Sequence, residues 1–191
     1  MIASITKNLE YQCSSYNLAV KFIKKYYKNI VKNEVSVSDI KPNDRVLCIG
    51  GGSVPCTAIL ISKLTDANVE VVDLDRKAVR RAQNLISRLG LSNKINVSYG
   101  DGTSIDCSDF DVVHIALQVQ PKESVIKNAA ETCKKGKKII VRMPKDCLKG
   151  FYGNFRKDSI CSEGMNVLTK TFTSKFNTMK EVLIIEKTAN S

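Results

Sequence analysis

Arg45-Val46-Leu47-Cys48-Ile49-Gly50-Gly51-Gly52-Ser53-Val54-Pro55 is the stretch that decides the fold. Pro42-Asn43-Asp44 before it is a turn signal. The apolar run from Val46 to Ile49 then reads as a strand covered on both faces, which is the habit of parallel sheets. Three glycines break the run. Pro55 fits the first turn of a following helix, where its missing N–H costs nothing. That helix carries Ala58, Ile59, Ile61 and Leu64. A strand, a glycine loop and a helix are therefore expected in direct succession.

Outward from this unit the pattern repeats. Val69 to Val72 form a second strand that ends at Asp73, and Asp75 is placed to cap the next helix. Val79, Ala82, Leu85, Ile86 and Leu89 give that helix its period, and Gly90 stops it. Ile95 to Tyr99 make a third strand, closed by Gly100-Asp101-Gly102, and Phe110 to Ala116 a fourth. Lys122 to Lys134 read as a helix with Gly136 just beyond, and Lys138 to Arg142 as a fifth strand. The tail departs from the alternation. Asn166 to Phe176 and Glu181 to Lys187 are strand-like and joined by four residues, which makes a hairpin. Upstream, residues 15–32 read as a helix, with Leu18, Phe22, Tyr26 and Ile30 recurring every four, Ile23 and Tyr27 widening the stripe, and Ser14 or Ser15 as cap.

Alternating strands and helices imply an α/β fold of the Rossmann-like, doubly wound kind: a mostly parallel sheet with right-handed crossovers and a C-terminal antiparallel hairpin strand. We divide the chain into an N-terminal helical segment, residues 1–40, and an α/β domain, residues 41–191, expected to bind the ligand. The composition, 43% hydrophobic and 26% charged over 191 residues, suits one packed domain. No run of about 18 apolar residues suggests a membrane span, and Met1 to Leu9 have neither signal-peptide nor transit-peptide character, so a cytoplasmic location is expected.

Seven cysteines occur at spacings that fit no metal or disulfide framework, and His114 is the sole histidine, so no metal site is expected. The net charge of +11 comes partly from Lys21, Lys24, Lys25, Lys28 and Lys32 and from Lys134, Lys135, Lys137 and Lys138. Solvated surface accounts for both groups, and a small-molecule acceptor is favoured over nucleic acid. A homodimer stays open.

In such sheets ligands bind beyond the carboxyl ends of the strands, near the switch point. Three features fall there. A triple-glycine loop lets a ligand approach backbone, and the helix start after it offers unpaired N–H groups. Asp73, about twenty residues on, suits two ribose hydroxyls. Asp101, in a Gly-Asp-Gly turn, suits an exocyclic amine. Each piece has a plainer reading: Asp73 and Asp75 as helix caps, Gly100-Asp101-Gly102 as an ordinary turn. Their order and spacing together describe an adenosine site.

On Val46 to Gly52, Val71-Val72-Asp73-Leu74-Asp75 and Tyr99-Gly100-Asp101-Gly102, the sequence resembles the class I S-adenosylmethionine-dependent methyltransferases over about residues 38–188. That resemblance implies a seven-stranded sheet, with S-adenosylmethionine as cofactor. It places Gly50 and Gly52 near the methionine part, Asp73 on the ribose and Asp101 near the adenine, with Gly51, Ser53, Leu74, Gly102, Ala116 and Leu117 completing the site. Cys48 departs from the family, many members of which have an acid there.

A narrower resemblance is to nicotianamine synthases, which share the fold but transfer aminocarboxypropyl groups. It rests on Gly50 to Thr57 with its proline and threonine, on Asp73-Leu74-Asp75, on Phe110 to Val119, and on Val141-Arg142 with Gly150-Phe151-Tyr152. That family carries a long helical N-terminal domain, whereas about 40 residues precede the first strand here; Glu10, Tyr11 and Tyr16 are the candidates to replace its groups. Methyl transfer is the first expectation because it dominates the fold, aminocarboxypropyl transfer the second, and an inactive RNA- or partner-binding subunit the third. A nicotinamide enzyme is disfavoured because Pro55 occupies the third glycine of its fingerprint.

Catalytic residues stay unassigned. His114 lies within a strand and is expected to be a packed core residue. Arg142 and Tyr152 suit an acceptor carboxylate, or structural pairing. Residues 144–165 are a candidate lid.

Overall fold

The computed structural model describes residues 17–145, 165–171 and 179–188. The run that opened the reading is strand β1 (Arg45–Ile49), in the middle of a seven-stranded sheet. The remaining strands are β2 (Asn68–Asp73), β3 (Ile95–Tyr99), β4 (Val112–Ile115), β5 (Lys138–Pro144), β6 (Met165–Thr171) and β7 (Met179–Lys187). Their order is β3-β2-β1-β4-β5-β7-β6. The first five run parallel, with β1 pairing Cys48 to Val71 on one side and Cys48 to His114 on the other. β7 lies antiparallel between β5 and β6, so the expected hairpin closes the sheet. Chain order reverses between β1 and β4, which makes their carboxyl ends the switch point.

Alternate residues of each strand feed two separate cores, because successive side chains leave opposite faces. Val46, Cys48, Val71 and Ile140 face helices α1 (Asn17–Ser38), α2 (Cys56–Thr65) and α3 (Arg76–Arg88) through Val31, Ile59, Val79 and Leu85. Leu47, Ile49, Val113 and Val141 face α4 (Lys122–Thr132) through Val125, Ile126 and Ala129.

Local chemistry sets the element ends. Asp75 caps α3 by accepting from Lys77 N and Ala78 N. Pro55 stands at the N-cap of α2, one residue before the place the sequence suggested. β4 is shorter than the apolar run, although Ala116 N still donates to Ile49 O at 3.1 Å. α1 continues to Ser38, six residues past the expected end. The β-branched Val35 and Val37 hid that last turn and a half; Val31 and Glu34 are fully buried there. The proposed Ser14 or Ser15 cap and the hairpin connection at 172–178 lie outside the described residues.

Of the second lysine group, Lys137 pairs with Asp111 at 2.6 Å and Lys138 donates to Ser38 O at 3.0 Å, while Lys134 and Lys135 are exposed. Among the described residues no helix is long and apolar enough to cross a membrane.

Candidate functional site

β1 ends at Ile49 and the chain turns through Gly50 (φ +82°) and Gly52 (φ +63°), both in the left-handed region that favours glycine. Gly50 N donates to Val72 O at 2.8 Å, tying the loop to the end of β2. Asp73 completes the tie. Its Oδ2 accepts from Gly52 N at 2.8 Å and its Oδ1 from Asp75 N at 2.9 Å. The carboxylate therefore shapes the glycine loop and the start of α3 together, a role in addition to any ribose contact.

The glycines are also demanded by packing within the chain. A Cβ on Gly50 would stand 2.4 Å from Val119 Cγ2, one on Gly51 2.1 Å from Val71 Cγ1, and one on Gly102 2.6 Å from Ile49 Cγ2.

Asp101 follows β3. Its Oδ1 accepts from both Thr103 N and Thr103 Oγ1 at 2.8 Å. These two bonds, the backbone one foremost, hold its carboxyl below the ordinary aspartate range and keep it ionised at neutral pH.

The loops enclose a cleft of about 250 Å³ at the switch point. Gly50, Gly52, Ser53, Asp73, Leu74, Asp101 and Gly102 line it, so seven of the ten expected site residues meet in one cavity. Gly51, Ala116 and Leu117 are not among the lining: Gly51 packs on Val71, and the residues after Ala116 and Leu117 face the cleft in their place. Gln118, Val119 and Gln120 form that wall, and Ile49, Val72, Ala78, Gly100 and Val125 supply apolar and backbone surface. Ala78 and Val125 are buried residues of α3 and α4. Their position at the first turn of each helix is what brings them to the cleft. Leu74, at the rim, is 53% exposed.

Next to the carboxyl ends of β4 and β5 lies a buried charge cluster that the sequence did not disclose. Glu34 of α1 accepts from Arg142 Nε and Nη2, each at 2.7 Å. Burial alone would push the Glu34 carboxyl up; the Arg142 guanidinium outweighs it and brings it down to about 2. Arg142 is thus committed to a structural pair and is 4% exposed, so of the two roles open to it from the sequence the structure has the pairing and not the acceptor carboxylate. Its guanidinium also stands 5.3 Å from the centroid of the Tyr27 ring. His114 is buried as expected, with Nε2 3.5 Å from Glu34 Oε2 and no hydrogen-bond partner among the described residues. Burial foremost, then Arg142, lower its pKa, so the imidazole is neutral at pH 7. Cys48, in the same core, has its thiol pushed up to about 12 by burial and is inert as a nucleophile. Glu10, Tyr11, Tyr16, Tyr152 and, of the candidate lid at 144–165, residues 146–164 lie outside the described residues.

A model of the nicotianamine synthase protein family matches residues 13–191. Among curated proteins, an L-histidine 2-aminobutanoyltransferase of Pseudomonas aeruginosa (strain UCBPP-PA14) is 24% identical over 159 residues, covering 82% of this chain and 58% of that protein. A mitochondrial ribosomal RNA small subunit methyltransferase of Arabidopsis thaliana is 36% identical over 86 residues, covering 44% and 22%. The chain thus spans 58% of the length of the histidine transferase. Among solved structures, a mutant of the nicotianamine synthase MtNAS in complex with S-adenosylmethionine superposes with a TM-score of 0.82 at 23% identity, covering 97% of this chain and 74% of that one. An RNA methyltransferase of Salinibacter ruber in complex with S-adenosyl-L-homocysteine reaches 0.63 at 14% identity, covering 86% and 93%. At these identities the likeness is one of fold.

Proposed function

The chain belongs to the nicotianamine synthase family, and from that premise we propose that it is an S-adenosylmethionine-dependent transferase moving a 3-amino-3-carboxypropyl group to an amine acceptor. The observation that carries this reading is the cleft at the β1–β4 switch point, where the Asp73-held glycine loop and Asp101 face one cavity.

The residues present fit the cofactor. The bare Gly50 and Gly52 and the fixed Asp73 carboxylate make a cradle beside the carboxyl end of β2, and Asp101 offers an anionic acceptor across it. Asp73 and Asp101 would hold ribose and adenine, with Leu74 and Val119 on the apolar faces of the nucleoside. Ser53 follows the last glycine at the opening of α2 and would meet the methionine part. Gly51, Ala116 and Leu117 would act from behind this surface. Residues 41–191 would form the cofactor-binding unit, and residues 1–40 a helical segment whose α1 packs Glu34 and Ser38 against Arg142 and Lys138 of β5.

When bound, S-adenosylmethionine would supply an electrophilic carbon next to its sulfonium: the acceptor amine nitrogen would form a bond to the aminocarboxypropyl carbon as the C–S bond breaks, its electron pair leaving on methylthioadenosine and the amine proton passing to a base. The protein's share is to align the acceptor and exclude water. An amino acid nitrogen is the acceptor class we favour, because the histidine transferase matched over 82% of this chain bears such a substrate in its name.

Methyl transfer is the second reading. It has the fold likeness to methyltransferases in its favour; the family match ranks it below. Incubation with S-adenosylmethionine and a panel of amino acids, followed by mass spectrometry, tests the choice. Methylthioadenosine is the expected by-product, and S-adenosylhomocysteine would overturn the reading.

A further inference from the structure

Lys122 is the first residue of α4, and it is buried, with 3% of its surface exposed. Both facts work against a cation. The positive end of the helix dipole opposes it, and burial strips its water. Burial foremost, and then the Arg142 charge, bring its pKa down to about 7. A methionine would fill the same space without that cost. What only the amine supplies is a hydrogen bond from Nζ to Ala116 O, at 2.8 Å.

The Ala116 carbonyl is a junction. It also accepts from Val119 N at 3.3 Å, while Ala116 N is tied to Ile49 O at 3.1 Å. Val119 lies where a Cβ on Gly50 would be, and Gln118, Val119 and Gln120 form one wall of the cleft. We infer that Lys122 is a positioning residue for this cleft: its bond to Ala116 O holds the 116–120 wall in register against the glycine loop. The affinity part of this inference rests on the proposed cofactor site; the structural part does not.

The test uses the full chain with Lys122→Met, which removes the donor, and Lys122→Arg, which restores one. Without any ligand, amide hydrogen exchange in 116–120, Val119 above all, is expected to rise about tenfold in Lys122→Met and to return toward wild type in Lys122→Arg, the scale of one lost hydrogen bond. S-adenosylmethionine affinity by calorimetry is expected to fall by a similar factor in the Met variant. Unchanged exchange in 116–120, or a rise spread evenly over the sheet, would overturn the inference. If Lys122→Met does not fold, the wild-type Val119 amide decides: exchange at the rate of an unprotected amide contradicts the pinned wall. If the wild-type chain does not bind S-adenosylmethionine, the cofactor reading fails, and the exchange result still judges Lys122.

Discussion

Replacing Glu34 with leucine isolates the strongest charge pair in the core. Arg142 would remain at 4% exposure with its bidentate partner gone. The wild-type pair sets the scale. A folded pKa of about 2 against a reference value of 4.5 corresponds to roughly 3 kcal/mol at about 1.36 kcal/mol per pH unit. Because the folded value is depressed, this stabilisation is present above about pH 4.5 and is lost as pH falls toward 2. Removing one partner leaves an uncompensated buried cation, a loss of about 3–5 kcal/mol. Removing both restores much of it, so the double variant Glu34→Leu, Arg142→Met should lie within about 1–2 kcal/mol of wild type. Urea unfolding at pH 7 and pH 3, with the slope checked for constancy, measures all of these. A Glu34→Leu cost below about 1 kcal/mol, or costs that simply add in the double variant, would refute a coupled pair.

Other outcomes follow from the same geometry. Gly51→Ala forces a methyl to 2.1 Å from Val71 Cγ1, so thermal unfolding should show about 1–3 kcal/mol of overpacking. Gly50→Ala adds a left-handed φ of +82° to a clash with Val119, and calorimetry should show cofactor affinity reduced by about tenfold or more. Asp75→Ala removes the side-chain cap of α3; it should cost about 1 kcal/mol or more in urea unfolding.

The sheet was legible because its central strands are buried on both faces, so Val46 to Ile49 and Ile139 to Val141 advertise themselves as apolar runs and Val69 to Val72 is broken only by Glu70. The hairpin showed as a break in the alternation. The cleft was legible through Gly50 to Gly52, Asp73 and Asp101, whose spacing is set by the loop, helix and strand lengths of two successive βαβ units. Long-range pairing was not. Glu34 and Arg142 are 108 residues apart, and no local period announces that a glutamate on an amphipathic helix turns inward. Lys122 was hidden likewise, since a lysine opening a helix reads as surface. At the end of β4 the cleft wall is formed by Gln118 to Gln120 and not by Ala116 and Leu117, since Ala116 still continues the strand bonding through its N–H to Ile49 O.

Calorimetric titration of the chain with S-adenosylmethionine, wild type beside Asp73→Ala, tests the central claim most directly. The account predicts a single saturable site in the wild type and loss of binding by at least tenfold in a variant that circular dichroism shows to be folded. Undiminished binding in Asp73→Ala, or no binding by the folded wild type, would contradict it.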